Sequence, residues 1–110
     1  GEDRGMLFVY PDARARSFWM ENTTIPLSIA FIDDRGTIFR IRDMQPLDRS
    51  HTYSGLPARY ALEMGRGWFE AHGGVEGAQV TGRAGGLHVV GQPQQAQADG
   101  AGLSNHQTPP

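Results

Sequence analysis

Residues 27–42 read LSIAFIDDRGTIFRIR, and this stretch decides the fold. Residues 27–33 are apolar on both alternating faces, with Leu27, Ile29 and Phe31 opposite Ala30 and Ile32, which predicts a strand buried on two sides. Asp33-Asp34-Arg35-Gly36 supplies turn chemistry, because Gly36 is free to take a positive φ. Residues 37–42 alternate again, Ile38, Arg40 and Arg42 pointing one way and Phe39 and Ile41 the other. The stretch is a β-hairpin.

Working outward, the same period recurs. Upstream, residues 6–10 (MLFVY) form a further apolar strand, and Pro11-Asp12-Ala13-Arg14 reads as a turn with proline setting its first inner φ. Residues 17–20 carry Phe18, Trp19 and Met20, a β-favouring run that ends before Pro26, which lacks a ladder amide. Downstream, residues 43–57 form a long loop containing Pro46, Gly55 and Pro57. Residues 58–64 alternate, and the reading places Tyr60, Leu62 and Met64 inward with Arg59 and Glu63 outward. A short helix is expected near residues 67–72, stopped by Gly73-Gly74, and residues 78–81 and 87–90 read as closing strands. Many short strands with one brief helix predict a mainly β domain, a small sandwich or barrel.

With 110 residues the chain holds one domain, read as residues 1–83. The composition shifts after that point to Gly, Gln, Ala and Pro, so residues 84–110 read as a low-complexity tail, disordered from about 91. No cysteine is present, which excludes disulfides, thiolate zinc sites and cysteine nucleophiles. All ten basic residues are arginine, which excludes Schiff-base chemistry and a phosphate-loop lysine. A net charge of −2 gives no bulk attraction for nucleic acid, and Phe8, Phe18, Trp19 and Phe39 at strand spacing read as core rather than as a stacking platform. No run approaches the roughly 20 apolar residues of a membrane helix, so no transmembrane segment is expected in this chain. Nor does a basic start lead into an apolar run, so no signal peptide is read within these residues.

Side chains that could carry chemistry are few. His51, His72, His88 and His106 show no chelating spacing, so no metal and no cofactor are expected. Gly65-x-Gly67 lacks the third glycine of a phosphate loop and reads as a turn. Asp33 and Asp34 belong to a hairpin tip, and Glu63 reads as a surface partner for a neighbouring arginine. His51 shares its loop with Ser50 and Ser54, but a nucleophile also needs an oxyanion hole and an orienting acid. The stretch Trp19-Met20-Glu21-Asn22-Thr23 sets bulky apolar groups beside amide and hydroxyl groups, the composition of a small pocket as well as of a turn. Arg59 and Tyr60 would line that pocket if the strands fall side by side.

GMLFVYPD (5–12), RSFWMENTTIPLSIAFIDDRGTI (16–38) and PARYALEMGRGWFEAHG (57–73), in this order and spacing, resemble the family called domain of unknown function 192. The resemblance runs from about residue 5 to residue 80. It implies a small, jelly-roll-like β sandwich and a periplasmic or envelope location, because many members follow a secretion or lipoprotein leader. It implies no reaction. Members usually carry a further strand before the GMLF stretch, so the domain is expected to be N-terminally incomplete and to self-associate through the exposed edge. They also usually carry lysine where Glu21 stands, so anion binding through that position is not expected. The residues leave two functions open, with the envelope location of the first implied by the resemblance alone. One is a non-catalytic envelope domain binding a small ligand, a peptide or a partner protein; the other is a hydrolase using carboxylates and His51.

Overall fold

The computed structural model describes residues 4–83, 86–90 and 95–98. Its centre is an antiparallel four-stranded sheet in the order β1 (Gly5–Arg14), β6 (Ala58–Gly65), β3 (Leu27–Ile32), β4 (Ile38–Met44). A two-stranded ribbon joins β2 (Ser17–Phe18) to β5 (Thr52–Tyr53). A helical turn, α1 (Trp68–Ala71), follows β6. A third, three-stranded sheet holds β7 (Gln79–Arg83), β8 (Gly86–Val90) and β9 (Gln95–Ala98). The fold is therefore mainly β, a small sandwich with one short helix.

The predicted hairpin is the β3–β4 pair. Asp33 Oδ1 accepts the amides of Arg35 and Thr37, each at 2.9 Å, and the Gly36 amide donates to the Asp33 carbonyl. Gly36 has φ +84°, and a Cβ there would lie 2.9 Å from the Val80 carbonyl oxygen, so both conformation and space select glycine. A register shift between Phe31 and Ile32 marks a bulge, which changes one expectation. Ile38 and Ile41 pack into one cluster and Phe39 into the other, although strict alternation would have separated Ile38 from Ile41. Similarly, Pro11–Arg14 is not a turn: β1 runs through it with an irregularity between Val9 and Arg14.

Both faces of the sheet are covered, and each carries its own core. On one face Ala30, Ile32, Leu62 and Met64 pack with Trp68 and Phe69 of the helix. On the other Phe8, Ile29, Phe31 and Ala61 pack beneath Phe18 and Met20. Every residue of β3 is buried, as its two-faced apolar sequence requires. The same arrangement corrects the reading of β6. Tyr60, Leu62 and Met64 do face a core, but Glu63 is not at the surface; it is 1% exposed, paired in register with Met6 and Ile29 on the covered opposite face. Alternation tells which residues share a face and not whether water reaches that face.

The helix ends as expected. His72 is its C-cap, and the Gly74 amide returns to the Phe69 carbonyl at 2.7 Å. The expected strand at 87–90 is found as part of β8. Gln95–Ala98, read from sequence as part of an unstructured tail, pair with β8, while 91–94 and 99–110 lie outside the described residues.

Candidate functional site

The site forms where the β2–β5 ribbon lies over the sheet. Phe18 turns inward, with its ring 5.0 Å from Phe8 and 5.9 Å from Phe31. With Phe18 and Met20 committed to the core, Ser17 and Trp19 are left on the outer side. Ser17 pairs in register with Tyr53, which is 61% exposed. The result is a row of rings on the outer side. Trp19 lies 5.4 Å from His51, and His51 stacks on Tyr53 at 5.8 Å with an interplanar angle of 20°. The Ser17 hydroxyl and His51 Nδ1 are hydrogen-bonded at 3.2 Å.

The backbone beneath this row is braced at several points. The Met20 amide donates to the Asp48 carbonyl, and the Leu47 amide donates to the Thr23 carbonyl. Ser54 is buried; its hydroxyl accepts the Arg16 amide and donates to the Leu56 carbonyl, both at 2.8 Å. Arg16 lies over the Tyr10 ring at 3.7 Å and donates to the carbonyls of Ala58 and Asp12, fastening the ribbon to β1 and β6. Leu47 is the one non-glycine residue with positive φ (61°) among the described residues, and its side chain is exposed. That conformation is sparsely populated for leucine, and it is held beside the candidate site. Asp48 takes the amide and hydroxyl of Ser50 on one carboxylate oxygen, which lowers its pKa.

The residues proposed from sequence divide into two groups. Trp19, Glu21, Asn22 and Thr23 follow β2 directly, with Asn22 exposed and Thr23 buried. Strand alternation makes Arg59 and Arg40 the expected partners of Glu21, but the structure pairs it with Arg49 at 3.2 Å. Both partners are accessible, so the pair contributes only about 0–1 kcal/mol. Glu21→Lys is accordingly expected to shift the melting temperature by no more than about 2–4 °C, checked by thermal unfolding of the two proteins. Arg59 and Tyr60 lie on β6 and not on the segment that follows β2. Arg59 donates to the Tyr10 carbonyl, and Tyr60 packs on the opposite core and lines a separate cavity of about 380 Å³ with Leu7, Ile32 and Val80. His51 bonds to Ser17 rather than to the serines of its own loop, and no carboxylate is hydrogen-bonded to its ring among the described residues. Tyr53 and Arg49 were missed; the β-favouring pair Thr52-Tyr53 inside the long loop was the available signal.

The model of the DUF192 family, described as "Uncharacterized ACR", matches residues 1–82. The chain belongs to this family. Among solved structures it is similar to a candidate transcription regulator from Sinorhizobium meliloti 1021, with 31% identity and a TM-score of 0.70, over 82% of this chain and 65% of that one. It is also similar to a protein of unknown function from Novosphingobium aromaticivorans DSM 12444, with 29% identity and a TM-score of 0.71, over 74% and 59%. The chain thus spans less than two thirds of either solved protein. No functionally curated protein matches it. The DUF192 match supports the resemblance drawn from the three quoted stretches, all of which lie inside it.

Proposed function

We propose that this DUF192 domain is a non-catalytic binding module of the bacterial envelope that holds a small ligand, a peptide or a partner protein on its Trp19–His51–Tyr53 face. The observation that carries this reading is the row of three rings on the outside of a ribbon braced to the sheet. Aromatic rings supply large, rigid contact area at low entropic cost, and Ser17, Glu21, Asn22 and Arg49 provide polar groups around them. The envelope location rests on family membership; among the described residues no helix is long and apolar enough to cross a membrane. The regulator description of the Sinorhizobium protein belongs to that protein, and the net charge of −2 gives no support to a nucleic-acid partner here.

Trp19 is partly exposed and the other tryptophan, Trp68, is buried, so intrinsic fluorescence reports selectively on the proposed face. Titration with peptidoglycan-derived sugars and short peptides is expected to give a saturable change for at least one compound. Trp19→Ala and His51→Ala are each expected to weaken that binding by ~10-fold or more, equal to ~1.4 kcal/mol, with little effect on melting. Unaltered affinity in both variants would remove the face from the reading. The Ser17–His51 hydrogen bond is the one observation favouring a hydrolase. That reading requires turnover of an activated ester to vanish in both Ser17→Ala and His51→Ala.

A further inference from the structure

β4 is an edge strand of the central sheet. At its start the edge is covered, since Ile38 donates to the Ala78 carbonyl and accepts from the Gly77 amide. Farther along, no strand of the described residues flanks it, and side chains take the place of a neighbour. The Ile41 amide donates to Glu76 Oε2 at 3.3 Å, and the Ile41 carbonyl accepts from Arg42 Nη1 at 2.9 Å. Arg42 and Glu76 are 3.7 Å apart, and both are about half exposed. This is a cap on a sheet edge made of replaceable parts.

Beside that edge lies an open groove of about 700 Å³ between β4 and the segment that follows α1. Ile41, Phe69 and Val75 give it apolar walls, and Asp43, Glu70 and Glu76 give it three carboxylates. Arg66 is the one cation in the lining, and its guanidinium donates to the Met44 carbonyl at 2.9 Å. The groove therefore combines a strand edge, an apolar wall and an excess of negative charge.

We propose that this groove docks an extended, basic peptide segment of a partner protein, which adds to β4 as a further strand. The incoming backbone replaces the side-chain bonds at Ile41, and its Lys or Arg side chains meet the carboxylates at Asp43, Glu70 and Glu76. Main-chain pairing supplies affinity and the alternate side chains supply choice, as in other strand-addition complexes. A second copy of this chain is a poorer occupant. Symmetric pairing through β4 would bring two grooves of the same acidic character together along one edge. The groove is on the α1 side of the sheet, so the proposal stands independently of the Trp19 face.

The test is a titration of the isotopically labelled chain with an acetylated, amidated peptide alternating Val and Arg, followed by amide chemical shifts. The alternating Val-Glu peptide is the comparison. Shifts are expected to concentrate at 41–44 and 74–76 for the Arg peptide alone. Raising ionic strength from about 0.01 to about 0.15 M shortens the Debye length from about 30 to about 8 Å and is expected to weaken binding ~10-fold. Glu70→Gln and Glu76→Gln, both at exposed positions, are expected to weaken it without lowering the melting temperature. Equal response to the Val-Glu peptide would overturn the proposal, as would shifts scattered away from β4. Concentration-dependent self-association that perturbs 41–44 without peptide would overturn it as well.

Discussion

Raising the pH from about 5 to about 8 is expected to destabilise the domain by on the order of 3 kcal/mol, through Glu63 alone. Both of its carboxylate oxygens are buried with no hydrogen-bond partner among the described residues. Desolvation disfavours the charged form and pushes its pKa from 4.5 up to about 8. Between those values the folded chain keeps this proton and the unfolded chain has released it. The unfolded state thus binds fewer protons, and unfolding becomes easier with each rise in pH across that window, by up to about 1.4 kcal/mol per unit. Below about pH 4.5 both states are protonated and the contribution is level. Glu63→Gln removes the ionisation while keeping the shape. Its melting temperature is expected to stay level across the window, whereas the parent loses about 10 °C or more. Parallel curves for the two proteins would mean that Glu63 is ionised in the folded state.

Truncating Phe18 is expected to cost about 3–5 kcal/mol, the range for removing a fully buried aromatic ring. Its relative exposure is 0%, and its ring bridges Phe8 of β1 and Phe31 of β3. A domain of this size has a total stability of roughly 5–10 kcal/mol, so Phe18→Ala removes much of it. The loss is also local in character. Phe18 and Met20 are what seat the ribbon, so amide exchange at 17–20 and 52–54 is expected to accelerate more than exchange in β3 and β6. Uniform acceleration throughout the sheet would show that the ribbon and sheet open together. Phe18→Leu keeps most of the buried carbon and is expected to cost less than half as much.

The parts legible in the sequence were those decided by neighbours along the chain. Asp33 and Gly36 specify the β3–β4 turn through bonds within five residues, and the two faces of β3 separated as its alternation predicts. The helix stop at Gly73-Gly74 was equally local. What failed depended on distant elements. Glu63 alternates with Leu62 and Met64 in the way a solvent-facing residue would, and only the second core packed on that face makes it buried. Glu21 finds Arg49 because the 45–51 loop folds back over Met20, a closure that no pattern near either residue announces. Of the proposed site, Trp19 to Thr23 stayed together because they are adjacent in sequence. Tyr60 went to the other face because a single step along β6 reverses its direction.

A sheet with a core on each side divides the molecular surface into two hemispheres. The rings of Trp19, His51 and Tyr53 belong to one, and the acidic groove beside β4 opens on the other. Between them stand β3 and β6, whose close-packed residues leave neither occupant a path to touch the other. If both proposals hold, the two guests would not compete for space, and each would be held while the other is present. On those two proposals the domain would couple two molecules, its span set by the thickness of a sandwich and its selectivity divided between stacking on one side and charge on the other.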